Sequence, residues 1–144
     1  MTTPDPYNLQ RFIDAQRASY ARAVMELEGG RKQSHWIWYI FPQIQGLGRS
    51  AMSQRYAIAS LQEARAFLDH PILGPRLREC TRLVTAVKAS SIEDILGYPD
   101  NLKFHSSMTL FAHATADNQV FLDALKKFFR AGFDEATLAR ALRL

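Results

Sequence analysis

A chain of 144 residues, 47% hydrophobic and 22% charged, has the composition of a globular domain large enough to bury its own core, which excludes a disordered polypeptide. Its single cysteine excludes an intramolecular disulfide framework and fits a reducing compartment, and no apolar run reaches membrane-spanning length. The net charge of +4 mildly favours anionic partners, but 18 basic and 14 acidic residues are interspersed along the chain, so nucleic acid is disfavoured as a partner.

In chain order, residues 1–6 show neither the basic nor the apolar character of a signal peptide, so a cytoplasmic protein with no membrane association is expected. Leu9, Phe12, Ile13, Tyr20, Val24 and Leu27 recur at helical spacing. They predict a long amphipathic helix from Leu9 to Glu28, capped by Asn8 and stopped by Gly29-Gly30. Ser34 is the expected cap of a short aromatic helix that must end before Pro42. Residues 43–49 read as a loop punctuated by Gly46 and Gly48, and Ser50–Ala59 as another short helix. Ser60-Leu61-Gln62-Glu63 has capping-box spacing and opens a helix that stops at His70-Pro71. From Ile72 to Ala89 the set Leu73, Leu77, Cys80, Val84 and Val87 keeps the helical period. Ser91 opens a short turn ending at Gly97, and Asp100 caps a helix running to about His113. Asp117 or Asn118 opens the next, with Val120, Phe121, Leu125, Phe128 and Phe129 on its buried side. Gly132 ends it, and Asp134 starts the last helix. No strand-like alternation of useful length appears. The expectation is an all-α fold, a compact multihelical single domain over residues 1–144 with about eight helices, several of them short.

One segment stands apart. Gly30-Arg31-Lys32-Gln33-Ser34-His35-Trp36-Ile37-Trp38-Tyr39-Ile40-Phe41-Pro42-Gln43 brings together two cations, a serine, a histidine and both tryptophans of the chain. From Trp36 to Phe41 it is apolar on every side, so a buried aromatic element follows directly on a positively charged turn. Further distinctive runs are Gly46-Leu47-Gly48-x-Ser50, Ser53-x-x-Tyr56-Ala57-Ile58 and His70-Pro71-x-Leu73-Gly74-x-Arg76-Leu77. The last is Asp100-x-Leu102-Lys103-Phe104-x-Ser106-Ser107-Met108-Thr109-Leu110-Phe111.

In combination these runs resemble the signature of a small bacterial family of unknown function, sometimes called calpastatin-like, over roughly Leu9 to Phe128. The resemblance implies a compact multihelical fold and supplies no reaction. The calpastatin label does not suit this chain, because inhibitors of that kind are disordered and this composition is globular. Ile37 stands where the family has methionine, and Leu96-Gly97 where it has Phe-Gly. The signature does not fix position 105, which takes weight from His105.

Several groups could carry chemistry. Arg31, Lys32 and Ser34 lead into a helix N-terminus, where unpaired N–H groups favour an anion; the alternative is a surface turn with Ser34 as a cap. His35 is the histidine beside that turn and the candidate acid/base. Trp36 and Trp38 could wall a ligand or simply fill the core. The glycine loop ending in Arg49-Ser50 has a shape that can cradle phosphate, although it is neither a Walker A motif nor a dinucleotide fingerprint. Lys103, Ser106 and Ser107 share one stripe of their helix, either a ligand face or a solvated one. Cys80 lies in an apolar stripe and reads as core. The histidines match no zinc spacing, so neither metal nor cofactor is expected.

Two main readings follow, and neither assigns a reaction. In the first, a small anionic ligand, phosphorylated or nucleotide-like, binds in a pocket between helices. Arg31, Lys32, Lys103 and Arg49 would supply charge, Ser34, Ser106, Ser107 and Gln43 hydrogen bonds, and Trp36 or Trp38 an apolar wall. Lys103 and Arg31 are then expected to border one cleft, with an anion or carboxylate between like charges. In the second, the protein is a non-catalytic interaction module or homodimer whose signature is core packing.

Overall fold

The computed structural model describes residues 4–89 and 91–142. Residues 1–3, 90 and 143–144, which the single-domain expectation includes, lie outside the described residues, as does half of the N-terminal stretch read for a signal peptide. The described residues form nine helices: α1 (Gln10–Glu28), α2 (Ile37–Ile40), α3 (Ala51–Arg55), α4 (Leu61–Asp69), α5 (Leu73–Ala86), α6 (Ile92–Leu96), α7 (Asp100–Ala114), α8 (Gln119–Phe129) and α9 (Glu135–Ala141). Among them there is no strand, only a parallel bridge between Ile44 and Ile58. No helix of the described residues is long and apolar enough to cross a membrane.

The caps explain the boundaries. Ser50, Ser60, Ser91 and Asp134 each accept a backbone N–H three residues on, as their spacing predicts. Asn8 does not cap α1. It sits at φ 52, and the Asp5 carboxylate instead accepts the N–H groups of Leu9 and Gln10 at 2.8 and 3.0 Å. His70 Nδ1 accepts the N–H groups of Ile72 and Leu73 at the start of α5, satisfying donors that have no partner within the helix. The helix expected over Ser50–Ala59 stops at Arg55. Beyond it the chain extends, because the backbone of the Pro42–Gly48 loop needs partners: Gln45 N–H donates to Ile58 O and Ile58 N–H to Gln43 O, both at 2.8 Å.

Helix α7 is the centre of the fold, with α2, α4, α6, α8 and α9 packed around it. Phe104, Met108, Leu110 and Phe111 are fully buried, but so is Ser107, and Ser106 and Thr109 are nearly or wholly buried. The stripe of Lys103, Ser106 and Ser107 is therefore not a solvated face. The hydroxyls of Ser106 and Thr109 donate to carbonyls one turn back, which lets a helix with polar residues be covered all round. Aromatic rings run across the core from α1 to α8. Phe12 meets Phe67 edge-on at 5.0 Å, Phe67 meets Phe111 at 5.4 Å, and Phe111 meets Phe121 at 6.0 Å. Phe41, directly after α2, meets Phe104 edge-on at 4.9 Å, which docks the aromatic segment onto α7.

Gly74 lets the first turn of α5 approach the backbone at the end of α4 closely. A Cβ at this position would overlap the Leu68 carbonyl, a backbone group that cannot rotate away. Gly74→Ala should therefore cost about 3 kcal/mol, at the upper end of overpacking in a dense core. Chemical denaturation checks this, and a loss below about 1 kcal/mol would mean the two helices can separate freely.

Candidate functional site

The positively charged turn is where an external anion was expected, and an internal carboxylate occupies it. Glu26, in the last turn of α1, faces the turn that follows. Its Oε1 accepts the N–H groups of Gln33 at 2.8 Å, Ser34 at 2.9 Å and the Trp36 indole at 2.9 Å, while its Oε2 accepts the Ser34 hydroxyl at 2.5 Å. Burial by itself raises the Glu26 carboxyl, but these hydrogen bonds, those from Ser34 first, outweigh it and lower the pKa to about 2. The Ser34 hydroxyl is thus engaged away from α2, whose N-cap residue is Trp36 with no side-chain cap. Trp36 is 1% exposed and belongs to the core.

Lys32 is held from two sides. Its N–H donates to Ile95 O at 2.7 Å, which ties the turn to α6 and delivers the side chain to the start of α7. There its ammonium meets Asp100 Oδ2 at 2.7 Å and lies 5.2 Å from the Trp36 ring centre. Lys103 approaches the other oxygen of the same carboxylate at 3.7 Å and sits 5.2 Å from the Trp38 ring centre. Lys32 and Lys103 therefore share one carboxylate, and Asp100 offsets their mutual repulsion; the pair expected to border one cleft was Arg31 and Lys103, and Arg31 takes no part in this contact. The Arg31 side chain is exposed and has no ion-pair partner among the described residues.

The remaining candidates divide between fold and surface. The Ser106 hydroxyl shares its one proton between the Leu102 carbonyl and, at 3.1 Å, the carboxylate of Asp134, the cap of α9, and so fixes that helix to α7. Ser107 Oγ and Trp38 Nε1 are buried without a hydrogen-bond partner among the described residues. His35 is exposed, and its carbonyl accepts the Tyr39 hydroxyl at 3.3 Å. The other histidines serve the fold: His70 caps α5, His105 stacks on Phe129 at 4.0 Å, and His113 bonds Thr109 O. Cys80 is fully buried, and burial pushes its thiol up to about 12, so it is no nucleophile.

A concave site does form, one segment further along. Gln43, Gln45, Gly46, Gly48, Ser53 and Gln54 line a cavity of about 460 Å³ at the Ile44–Ile58 bridge. Gly46 has φ 97, and the Arg140 guanidinium lies against it where a side chain would stand. Gly48 lets the loop close onto Ser53, whose Oγ occupies the space a Cβ would need. Gln54 Nε2 donates to Arg49 O at 3.0 Å, and the Ser50 hydroxyl donates to Ser53 Oγ at 2.9 Å, which fixes the loop against α3. The carboxamides of Gln43 and Gln45 have no hydrogen-bond partner among the described residues. The residues that sequence reasoning missed here are Gln45, Gln54 and Arg140. Arg140 lies almost a hundred positions from the loop, and nothing local signals the contact.

The family described as "Protein of unknown function (DUF1810)" matches residues 6–141. The crystal structure of the conserved hypothetical protein Rv1873 from Mycobacterium tuberculosis is similar over nearly the whole molecule. It shows 52% sequence identity and a TM-score of 0.94, and the match covers 96% of this chain and 99% of that one. No curated protein matches the chain. Matched by that description along almost its entire length, the chain belongs to the DUF1810 family of unknown function.

Proposed function

We propose that the protein binds a small, nucleotide-like anionic ligand at the glycine-loop cavity. One observation carries this reading: three stretches of the signature, at Gln43, at Gly46 to Gly48 and at Ser53 to Ala57, line a single cavity of about 460 Å³ with two unpartnered carboxamides. Its volume lies in the range of small-molecule sites. A carboxamide offers both a donor and an acceptor, which suits the edge of a heterocycle or an amide. Arg140 against Gly46, with Arg49 in the same loop, would supply charge for a phosphate. The Arg31–Ser34 turn and Lys103 then support the fold around the site rather than touch the ligand.

A thermal-shift screen of nucleotides and sugar phosphates tests the proposal. A ligand present at about 100 times its dissociation constant should add roughly 2.7 kcal/mol. Gln43→Ala should abolish that gain while leaving the free protein's stability within about 0.5 kcal/mol, as for most substitutions away from a buried network. No stabilisation by any compound at millimolar concentration would overturn it. A homodimer is the second reading. Tyr98 and Leu102, 72% and 51% exposed, stand four residues apart at the start of α7, and much of the signature is core. Sedimentation equilibrium separates the two readings.

A further inference from the structure

A second concavity, of about 550 Å³, lies beside α5 and presents Tyr20, Arg76, Arg78, Glu79 and Arg82. Its lining holds three arginines and one acidic residue. Arg76 is half-buried and prepositioned by neutral groups alone. Its Nη1 donates to Gln16 Oε1 at 3.3 Å, and its guanidinium lies 4.5 Å from the Tyr20 ring centre. Gln16, 2% exposed, is itself fixed by donating to Tyr39 O at 2.8 Å. No carboxylate pairs with Arg76 among the described residues. Arg78 donates to the Asp117 carbonyl at 2.9 Å and reaches the exposed Asp117 carboxylate only at 3.9 Å. Arg82 touches Glu79 at 3.6 Å, with both side chains more than half exposed. Such exposed pairs are weak and open readily. Burial, then the neighbouring Cys80 thiol, push Tyr20 up to about 12, so the wall against Arg76 stays uncharged at neutral pH.

We propose that this α5 cleft is an anion site, separate from the glycine-loop cavity, for a compact ligand carrying at least two phosphoryl or carboxylate groups. A guanidinium held in place by an amide and a ring, with no carboxylate, presents its forked donors ready for such a group. Arg82 lines the same concavity with its guanidinium held only by an exposed carboxylate, and Arg78 lines it while bound to Asp117, so a second negative group on the ligand would draw on side chains that can swing without rearrangement of the helix. The cleft's volume matches a small molecule rather than a groove for a polymer.

Isothermal titration at low ionic strength with inorganic pyrophosphate and, separately, with citrate tests the site and distinguishes phosphoryl from carboxylate ligands. At least one of the two should bind, and Arg82→Ala and Arg78→Ala should each weaken it about tenfold or more, the loss of one charge-assisted contact. Arg17→Ala on α1 removes the same charge from a site 70% exposed, and Gln43→Ala alters the glycine-loop cavity. Both should leave the affinity unchanged, so failure of one site does not mimic failure of the other. If Arg78→Ala does not fold, Arg82→Ala carries the test, because among the described residues its guanidinium pairs only with the exposed Glu79. Absence of binding by both anions at millimolar concentration would overturn the proposal. So would an equal weakening by Arg17→Ala.

Discussion

Glu26→Ala should destabilise the protein by on the order of 4 kcal/mol, because it removes a side chain only 8% exposed and leaves four donors, the buried Trp36 indole among them, without their acceptor. Glu26→Gln keeps the shape but turns an amide group toward donors, and should cost about half as much. The same carboxylate makes stability depend on pH. Its folded pKa, about 2, lies below the ordinary value of 4.5. Its contribution is therefore complete above about pH 4.5 and disappears as pH falls toward 2, amounting to about 3 kcal/mol for a shift of this size. Urea denaturation of wild type and Glu26→Gln at pH 7 and pH 3 checks both statements. The gap between the two proteins should narrow on acidification, and a constant gap would be inconsistent with a depressed carboxyl.

Asp100→Ala should cost about 3–5 kcal/mol, the penalty for leaving a buried charge without its partner. The Lys32 side chain is only 7% exposed and has Asp100 as its ion-pair partner, whereas Lys103 is more exposed and lies a full ångström further away. The loss should come mainly through Lys32. Combining Asp100→Ala with Lys32→Met removes the stranded charge along with its partner and should recover more than half of the loss. A double mutant no more stable than Asp100→Ala alone would show that the carboxylate acts chiefly at the N-terminus of α7 instead.

Most helices were legible because their caps and periods are local. Ser60, Ser91 and Asp134 sit three residues before the N–H they accept, and Leu73, Leu77, Cys80 and Val84 mark one face of α5. The turn at Arg31–Ser34 was legible as an anion site, but the anion was not. Glu26 lies among the periodic residues of α1 and reads as part of that helix. A signal was nevertheless present, since an acidic residue in the last turn opposes the helix dipole and needs donors from outside the helix. Asp100 reads as a cap in the sequence, yet the N-cap position belongs to Pro99, and the Asp100 carboxylate reaches across to Lys32. That contact depends on where α6 places the turn, which no spacing in the sequence encodes. The burial of Ser106 and Ser107 was hidden for a related reason. Polar residues on a helix read as a solvated stripe until the neighbours of α7 are known to surround it.

The signature turn is an anion site filled by the protein's own carboxylate. Side-chain carboxyl carbon NMR through an acid titration measures this at the atom concerned. With Glu26→Gln to assign its resonance, the Glu26 carboxyl should titrate at about 2, well below an ordinary glutamate. A midpoint near 4.5 would show that the four donors do not hold it, and would return the turn to the pool of sites open to an external anion.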